Sequence, residues 1–306
     1  MRVAIIGGTG YVGSYLVDEL IEQGHEVSML VREGSEHKLR HSASIRLVAG
    51  SIGSKRSLNN VLANCDAVIY CVGLLREIPR QGITFEATQF DGVANTIEAA
   101  LENSISRFLL MSANGVKIPG TQYQETKKRA EDRLIASDLK ATIFKPSVIF
   151  GNPRGQMEFA TQLFRDMVEK PIPAVGFFSG LNPVSGAVLM SPVHVEDVAK
   201  AFVASLTDPK TIGASYELGG PETLSWTEMI RRIAATTGRK KWILPMPIAA
   251  MKLAATLFDW LPLFPVTRDQ LTMLAEGNTA DPAIVESLIG RSPRAFTLEH
   301  LDYLNG

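Results

Sequence analysis

The chain has 306 residues, 45% of them hydrophobic, enough to bury a large core in one main domain with a smaller attached lobe. Lys and Arg number 31 against 32 Asp and Glu, so no basic surplus marks a nucleic-acid partner. Cys65 and Cys71 read as reduced core thiols of a cytoplasmic protein, and five scattered histidines offer no metal-ligand cluster.

In chain order, Met1–Ile6 is an apolar strand, and the expectation is that no charged or apolar leader precedes it. Gly7-Gly8-Thr9-Gly10-Tyr11-Val12-Gly13 follows, then a helical period over Tyr15–Gln23 closed by Gly24. Glu26–Val31 is a second strand that ends at Arg32. Glycines at 7, 10 and 13 permit a tight turn, close approach of backbone to a pyrophosphate, and tight packing of helix on strand. The start of the helix offers free N–H groups and a positive dipole to phosphate. The placement between strand and helix turns a common glycine pattern into a dinucleotide signature.

Ile45–Ala49 reads as a third strand, Leu58–Ala63 as a short helix, and Asp66–Gly73 as a fourth, buried strand carrying Cys71, Val72 and Gly73 at its carboxyl end. Phe85–Asn103 is helical, Ile105–Met111 a fifth strand, Thr121–Ser137 a polar helix, and Lys140–Lys145 a sixth strand stopped by Pro146. This alternation predicts an α/β fold: a doubly wound parallel sheet with ligands bound beyond the carboxyl ends of its strands. The Rossmann domain is expected over 1–150, completed by about 187–207. The remainder, 151–186 and 208–306, is expected to form a mostly helical lobe for substrate or partner. Trp242–Pro265 is too interrupted by proline to span a membrane, but Ile248–Leu261 fits an amphipathic helix for core packing or for a membrane-surface or partner contact. Met157, Phe159, Phe164, Phe177 and Phe178 suit either an apolar substrate pocket or a core.

On the polar helix, Tyr123 and Lys127 stand four residues apart and share a face. A cation beside a phenol favours phenolate and lowers its pKa toward the range of a general acid or base.

Gly7-x-x-Gly10-x-x-Gly13 together with Tyr123-x-x-x-Lys127 resembles the short-chain dehydrogenase/reductase superfamily in its extended or atypical, epimerase/dehydratase-like branch. Cys71–Glu77, Thr84–Glu86, Met111–Asn114, Pro192–Ala199 and Leu263–Leu271 narrow the resemblance to the nucleotide-binding accessory subunit of respiratory complex I and its bacterial relatives. The resemblance implies that Tyr123 is the acid/base and that Lys127 also holds the nicotinamide ribose. Ser112 would be the oxygen-binding hydroxyl, although it falls about one residue early. Pro146 and Ser147 match a loop beside the nicotinamide. Relatives carry Gly-Asp after the third strand, where this chain has Gly50-Ser51, which leaves the adenine contact to Ser51 and the backbone. His194 and Asp197 match a segment that docks a returning helix.

Arg32, with Lys38 and Arg40 behind it, favours the 2′-phosphate of NADP over NAD. Three functions remain open. The first is an NADP(H)-dependent oxidoreductase or epimerase acting on a carbinol or carbonyl group of a small molecule, an apolar one if the aromatics after Met157 line its pocket. The second is a non-catalytic nucleotide-binding subunit or assembly factor of a respiratory or quinone-linked system, peripheral to the inner membrane. The third is an NADP(H) redox-sensing interaction module.

Overall fold

The computed structural model describes residues 1–35, 44–74, 76–258 and 268–305. Lys38, Arg40, Leu75 and residues 259–267 of the motifs read above lie outside the described residues. The chain divides into two compact units. One comprises Met1–Pro146, Val195–Glu217 and Ser287–Gly290; the other comprises Ser147–His194, Leu218–Glu286 and Arg291–Gly306.

The first unit is built on strands β1 (Arg2–Ile6), β2 (Glu26–Val31), β3 (Ile45–Ala49), β4 (Ala67–Tyr70), β5 (Arg107–Met111) and β6 (Lys140–Pro146). Its helices include α1 (Tyr11–Glu22), α2 (Lys55–Leu62), α3 (Gly92–Glu102) and α4 (Gln122–Ile135). Four of five residues of β1, five of six in β2 and all of β4 are buried, as strands covered on both faces must be. β1 pairs in parallel with β2 on one side and β4 on the other. Ser28 is the one polar side chain inside β2, and it donates to the Val61 carbonyl at 2.7 Å, so its burial leaves no unmet hydroxyl.

A seventh strand, Ser215–Leu218, lies beside β6, giving the order Ser215–Leu218, β6, β5, β4, β1, β2, β3. The sequence reading places Tyr216–Leu218 in the second lobe. The structure instead returns it to the main sheet, after helix Val195–Ser205 has packed against α1. Asp197 is fully buried in the first turn of that returning helix.

Two helices start earlier than periodicity alone suggests. α1 begins at Tyr11, not Tyr15, because Gly10 takes the extended cap conformation and admits a full turn of N–H groups above the glycine loop. α2 begins at Lys55, where the Ser54 side chain accepts from the Ser57 N–H at 3.3 Å. The Phe85–Asn103 helix is divided: a π-helical turn, Glu86–Asp91, precedes α3.

Among its described residues the second unit carries three two-stranded pairings, and its core includes Phe150, Phe177, Met229, Ile230, Ile233 and Phe296. Phe177 and Phe178 are buried, and Phe159 and Phe164 pack on that core; Met157 is exposed. Phe177 and Phe178 therefore fill the interior, and Phe159 and Phe164 border it. His194 is buried edge-on to Phe150, in a structural setting. Within the expected Ile248–Leu261 helix, Ile248–Phe258 is helical. Among the described residues no helix is long and apolar enough to cross a membrane.

Candidate functional site

The site in the first unit begins at the glycine turn. Gly7 has φ +101°, a conformation open to glycine, and its N–Cα–C unit presses on the end of β4: a Cβ there would lie 2.9 Å from Val72 N. A Cβ on Gly13 would lie 2.1 Å from Gly7 O and 2.8 Å from Gly8 Cα, both backbone atoms that cannot swing away. On Gly10 it would meet Gly7 O at 3.2 Å. The turn is closed by Gly10 N–H donating to Gly7 O at 3.0 Å. Among the described residues no side chain caps α1, and its first turn contains no acidic residue. Tyr11, Val12 and Gly13 thus present main-chain N–H groups at the positive end of a twelve-residue helix, an arrangement that fits a pyrophosphate. Thr9 sits between the glycines at the lip of the turn.

Around this cradle stand the other strand ends. Arg32 follows β2 directly; it is exposed and makes no ion pair with another described residue. Ser51 is exposed just past β3. Cys71 is tied to β1 through its N–H and its thiol, both on Ile6 O at 2.9 and 3.3 Å. Burial pushes that thiol up to about 12, so it is an inert packing group. Gly73 is exposed with open space around its α-carbon.

The remaining residues gather along α4, whose start is fixed by a reciprocal capping box between Thr121 and Gln124. Lys127 is buried, and its ammonium donates to Met111 O at the end of β5 at 3.3 Å. Desolvation pulls it down to about 8, against the opposing pull of Glu131 one turn on. Glu131 is itself buried and pairs with Lys145 of β6 at 2.9 Å.

Tyr123 is half-buried, edge-on to Phe85 with centroids 5.6 Å apart, and its hydroxyl has no hydrogen-bond partner among the described residues. The expectation that Lys127 lowers the phenol is corrected here. The ammonium lies 5.6 Å from the centroid of the ring, held there by Met111 O, and the surrounding protein raises the phenol above its usual range.

Ser112 is buried, and its hydroxyl has no hydrogen-bond partner among the described residues. It lines a small cavity of about 10 Å³ together with Lys127 and Gln89. The structure therefore brings Ser112 and Lys127 together, while Tyr123 stands outside that cavity, one helical turn away. Pro146 ends β6, and its carbonyl accepts from Asn114 N–H at 3.1 Å. Ser147 opens the second unit with both polar groups engaged: its N–H on Leu218 O at 2.8 Å and its hydroxyl on Asn278 O at 2.6 Å.

Two residues in this region escaped sequence reasoning. Gln89, on the π-helical turn, accepts from Thr126 of α4 at 2.9 Å and donates to Leu74 O beyond β4 at 3.2 Å, linking both sides of the site. A π-helical turn leaves no reliable sequence signal. Glu131 did leave one, lying four residues past Lys127 on the same face.

Comparison with known proteins accords with this geometry. A family model described as NAD(P)H-binding matches residues 7–171. Ceramide reductase of Caulobacter vibrioides is 28% identical over 258 residues, 84% of this chain and 77% of that protein. Alpha subcomplex subunit 9 of the mitochondrial NADH dehydrogenase of Arabidopsis thaliana is 28% identical over 242 residues, 74% of this chain but only 55% of that subunit. UDP-glucose 4-epimerase of Thermus thermophilus, solved with NAD, has the same fold: TM-score 0.73 at 17% identity, over 100% of this chain and 98% of that one. With more than half its length inside the matched model and the glycine cradle at its head, the chain belongs to the NAD(P)H-binding family, on a fold shared with the epimerase.

Proposed function

We propose that the protein is an NADP(H)-dependent oxidoreductase acting on a carbinol or carbonyl group of an apolar substrate, with Tyr123 as the proton-carrying group. The observation that carries this reading is the arrangement on α4. A half-buried phenol whose hydroxyl has no hydrogen-bond partner among the described residues stands one turn from a buried ammonium anchored to the end of β5. Gly7–Gly13 would hold the pyrophosphate, Arg32 the 2′-phosphate, Ser51 the adenosine side, and the backbone of Cys71–Gly73 the adjoining ribose. When bound, the dinucleotide supplies hydride chemistry.

The chain's own residues do the rest. Lys127, protonated below about pH 8, orients a ribose hydroxyl and keeps a positive charge beside the ring of Tyr123. The Tyr123 hydroxyl gives its proton to the substrate oxygen or takes one from it. Ser112 and Gln89 line the floor beneath Lys127. An apolar substrate accords with the likeness to a reductase named for a lipid, ceramide. The second unit serves as the substrate or partner lobe.

The test is NADPH oxidation with long-chain keto compounds. Tyr123→Phe is expected to lower turnover about 10²- to 10⁴-fold while NADPH affinity stays unchanged. Undiminished turnover in that variant would refute the assignment.

A second reading has its own support. Burial raises the Tyr123 phenol, and Ser112 is not grouped with it, both unfavourable to acid/base work. Together with the likeness to the NADH dehydrogenase subunit, this supports a bound NADP(H) serving a respiratory assembly without turnover. That reading expects nucleotide to co-purify and resist exchange; rapid exchange against added NADP(H) would argue against it.

A further inference from the structure

The second unit has a cleft of about 470 Å³ between segments 168–173 and 239–242. Its lining contains Lys170, Arg239, Lys240 and Lys241, in a chain whose overall charge is −1. Glu169 is the one acid of the lining, and Asp166 nearby pairs with Lys170 at 3.5 Å, so cations outnumber acids four to two. Two of the four cations are held in place by main chain. The Arg239 guanidinium donates to Glu169 O at 3.2 Å and lies 5.5 Å from the Phe164 ring. The Lys241 ammonium donates to Val168 O at 3.1 Å and to Lys170 O. Lys240, between them, is exposed.

The rim of this cleft is apolar and faces water. Trp242 is 80% exposed, Ile172 60% and Leu244 52%. Strand Ile243–Pro247 pairs in parallel with Ala174–Phe178, and Ala174 N–H bonds to Trp242 O at 2.8 Å, so Trp242 and Leu244 fall two apart on one face of a fixed ribbon. Trp226, by contrast, is packed on the core with its indole N–H satisfied. An exposed tryptophan and two aliphatic chains beside four cations match two zones of one partner: anionic headgroups outside and the acyl boundary just beneath. A free phosphate would use the cations and leave the apolar rim in water.

We propose that this face docks the protein on a bilayer surface containing anionic lipid, with Lys240, Arg239 and Lys170 on the headgroups and Trp242, Ile172 and Leu244 at the interface. The attachment is peripheral and independent of nucleotide, so it stands under either reading of the cradle.

The experiment is flotation of the full chain with vesicles of phosphatidylcholine alone and of phosphatidylcholine mixed equally with phosphatidylglycerol. Binding is expected on the mixed vesicles and not on the neutral ones, and it should weaken as salt is raised. Lys240→Ala should weaken it about fivefold, the share of one surface cation, and Trp242→Ala should reduce it at unchanged salt dependence. NADPH affinity, unchanged in both variants, shows that the fold is intact. Equal binding to neutral vesicles, binding indifferent to both substitutions, or loss of vesicle binding to inorganic phosphate at constant ionic strength would overturn the proposal. So would failure to bind either vesicle, whether or not the chain self-associates in sedimentation.

Discussion

Replacing Gly13 by alanine adds one methyl group where the backbone leaves no room. The added carbon would lie 2.1 Å from Gly7 O, 2.8 Å from Gly8 Cα and 2.9 Å from Gly7 C. Comfortable contact for such atoms is about 3.5 Å, so α1 must retreat from the turn by roughly 1 Å. Overpacking of this kind costs about 1–3 kcal/mol, and removing a helical glycine returns about 1, leaving a net loss of up to about 2. The effect on ligand is larger. The retreat carries the N–H groups of Tyr11 and Val12 away from the phosphates, and each hydrogen bond to a charged group is worth about 1.5–3 kcal/mol. Nucleotide affinity is therefore expected to fall at least about tenfold, and at least about a hundredfold if two bonds are lost.

Calorimetric titration with NADPH reads the affinity, and thermal unfolding of the free protein reads the stability. Gly73→Ala supplies the contrast, because open space surrounds that glycine. It should leave the unfolding midpoint of the free protein unchanged and lower affinity only through the ligand's approach. Wild-type stability and affinity in Gly13→Ala would refute the claim that this glycine exists for helix–strand contact. A lowered midpoint in Gly73→Ala would show that the space around it is misread.

Three other outcomes are expected. Arg32→Ala should weaken NADP about ten- to a hundredfold and leave NAD nearly unchanged, measured by competitive titration; equal losses would remove the 2′-phosphate assignment. Lys127 is held near 8 when folded against about 10.5 unfolded, so between those values the unfolded chain binds more protons and folding stability rises with pH. Denaturation at pH 7 and pH 10 should show wild type gaining about 2–3 kcal/mol relative to Lys127→Met, and a constant difference would mean that the ammonium is not desolvated. Glu131→Gln breaks the 2.9 Å pair with Lys145, whose side chain is one-fifth exposed, and should cost about 3 kcal/mol; urea midpoints matching wild type would show the pair to be solvent-screened.

What could be read from the sequence was what depends on near neighbours. The glycine turn, the strands on either side of it and the shared face of Tyr123 and Lys127 are set by residues within one or two turns of one another. The strand Ser215–Leu218 was harder, because a long stretch belonging to the second unit separates it from β6, the strand it pairs with. Glu131 was legible in spacing but not in consequence: nothing in a polar helix says which carboxylate is buried and which faces water. The phenol of Tyr123 shows the limit most clearly. Spacing promised a cation beside an acid, and a cation is there, but proximity along a helix does not say which part of the ring it faces. Met111 O draws the ammonium over the ring, and burial then sets the sign for both groups, lowering Lys127 and raising Tyr123. Chemistry at this pair therefore depends on what completes its surroundings. That is why the cradle establishes the class of ligand, while turnover has to be decided by the Tyr123→Phe experiment.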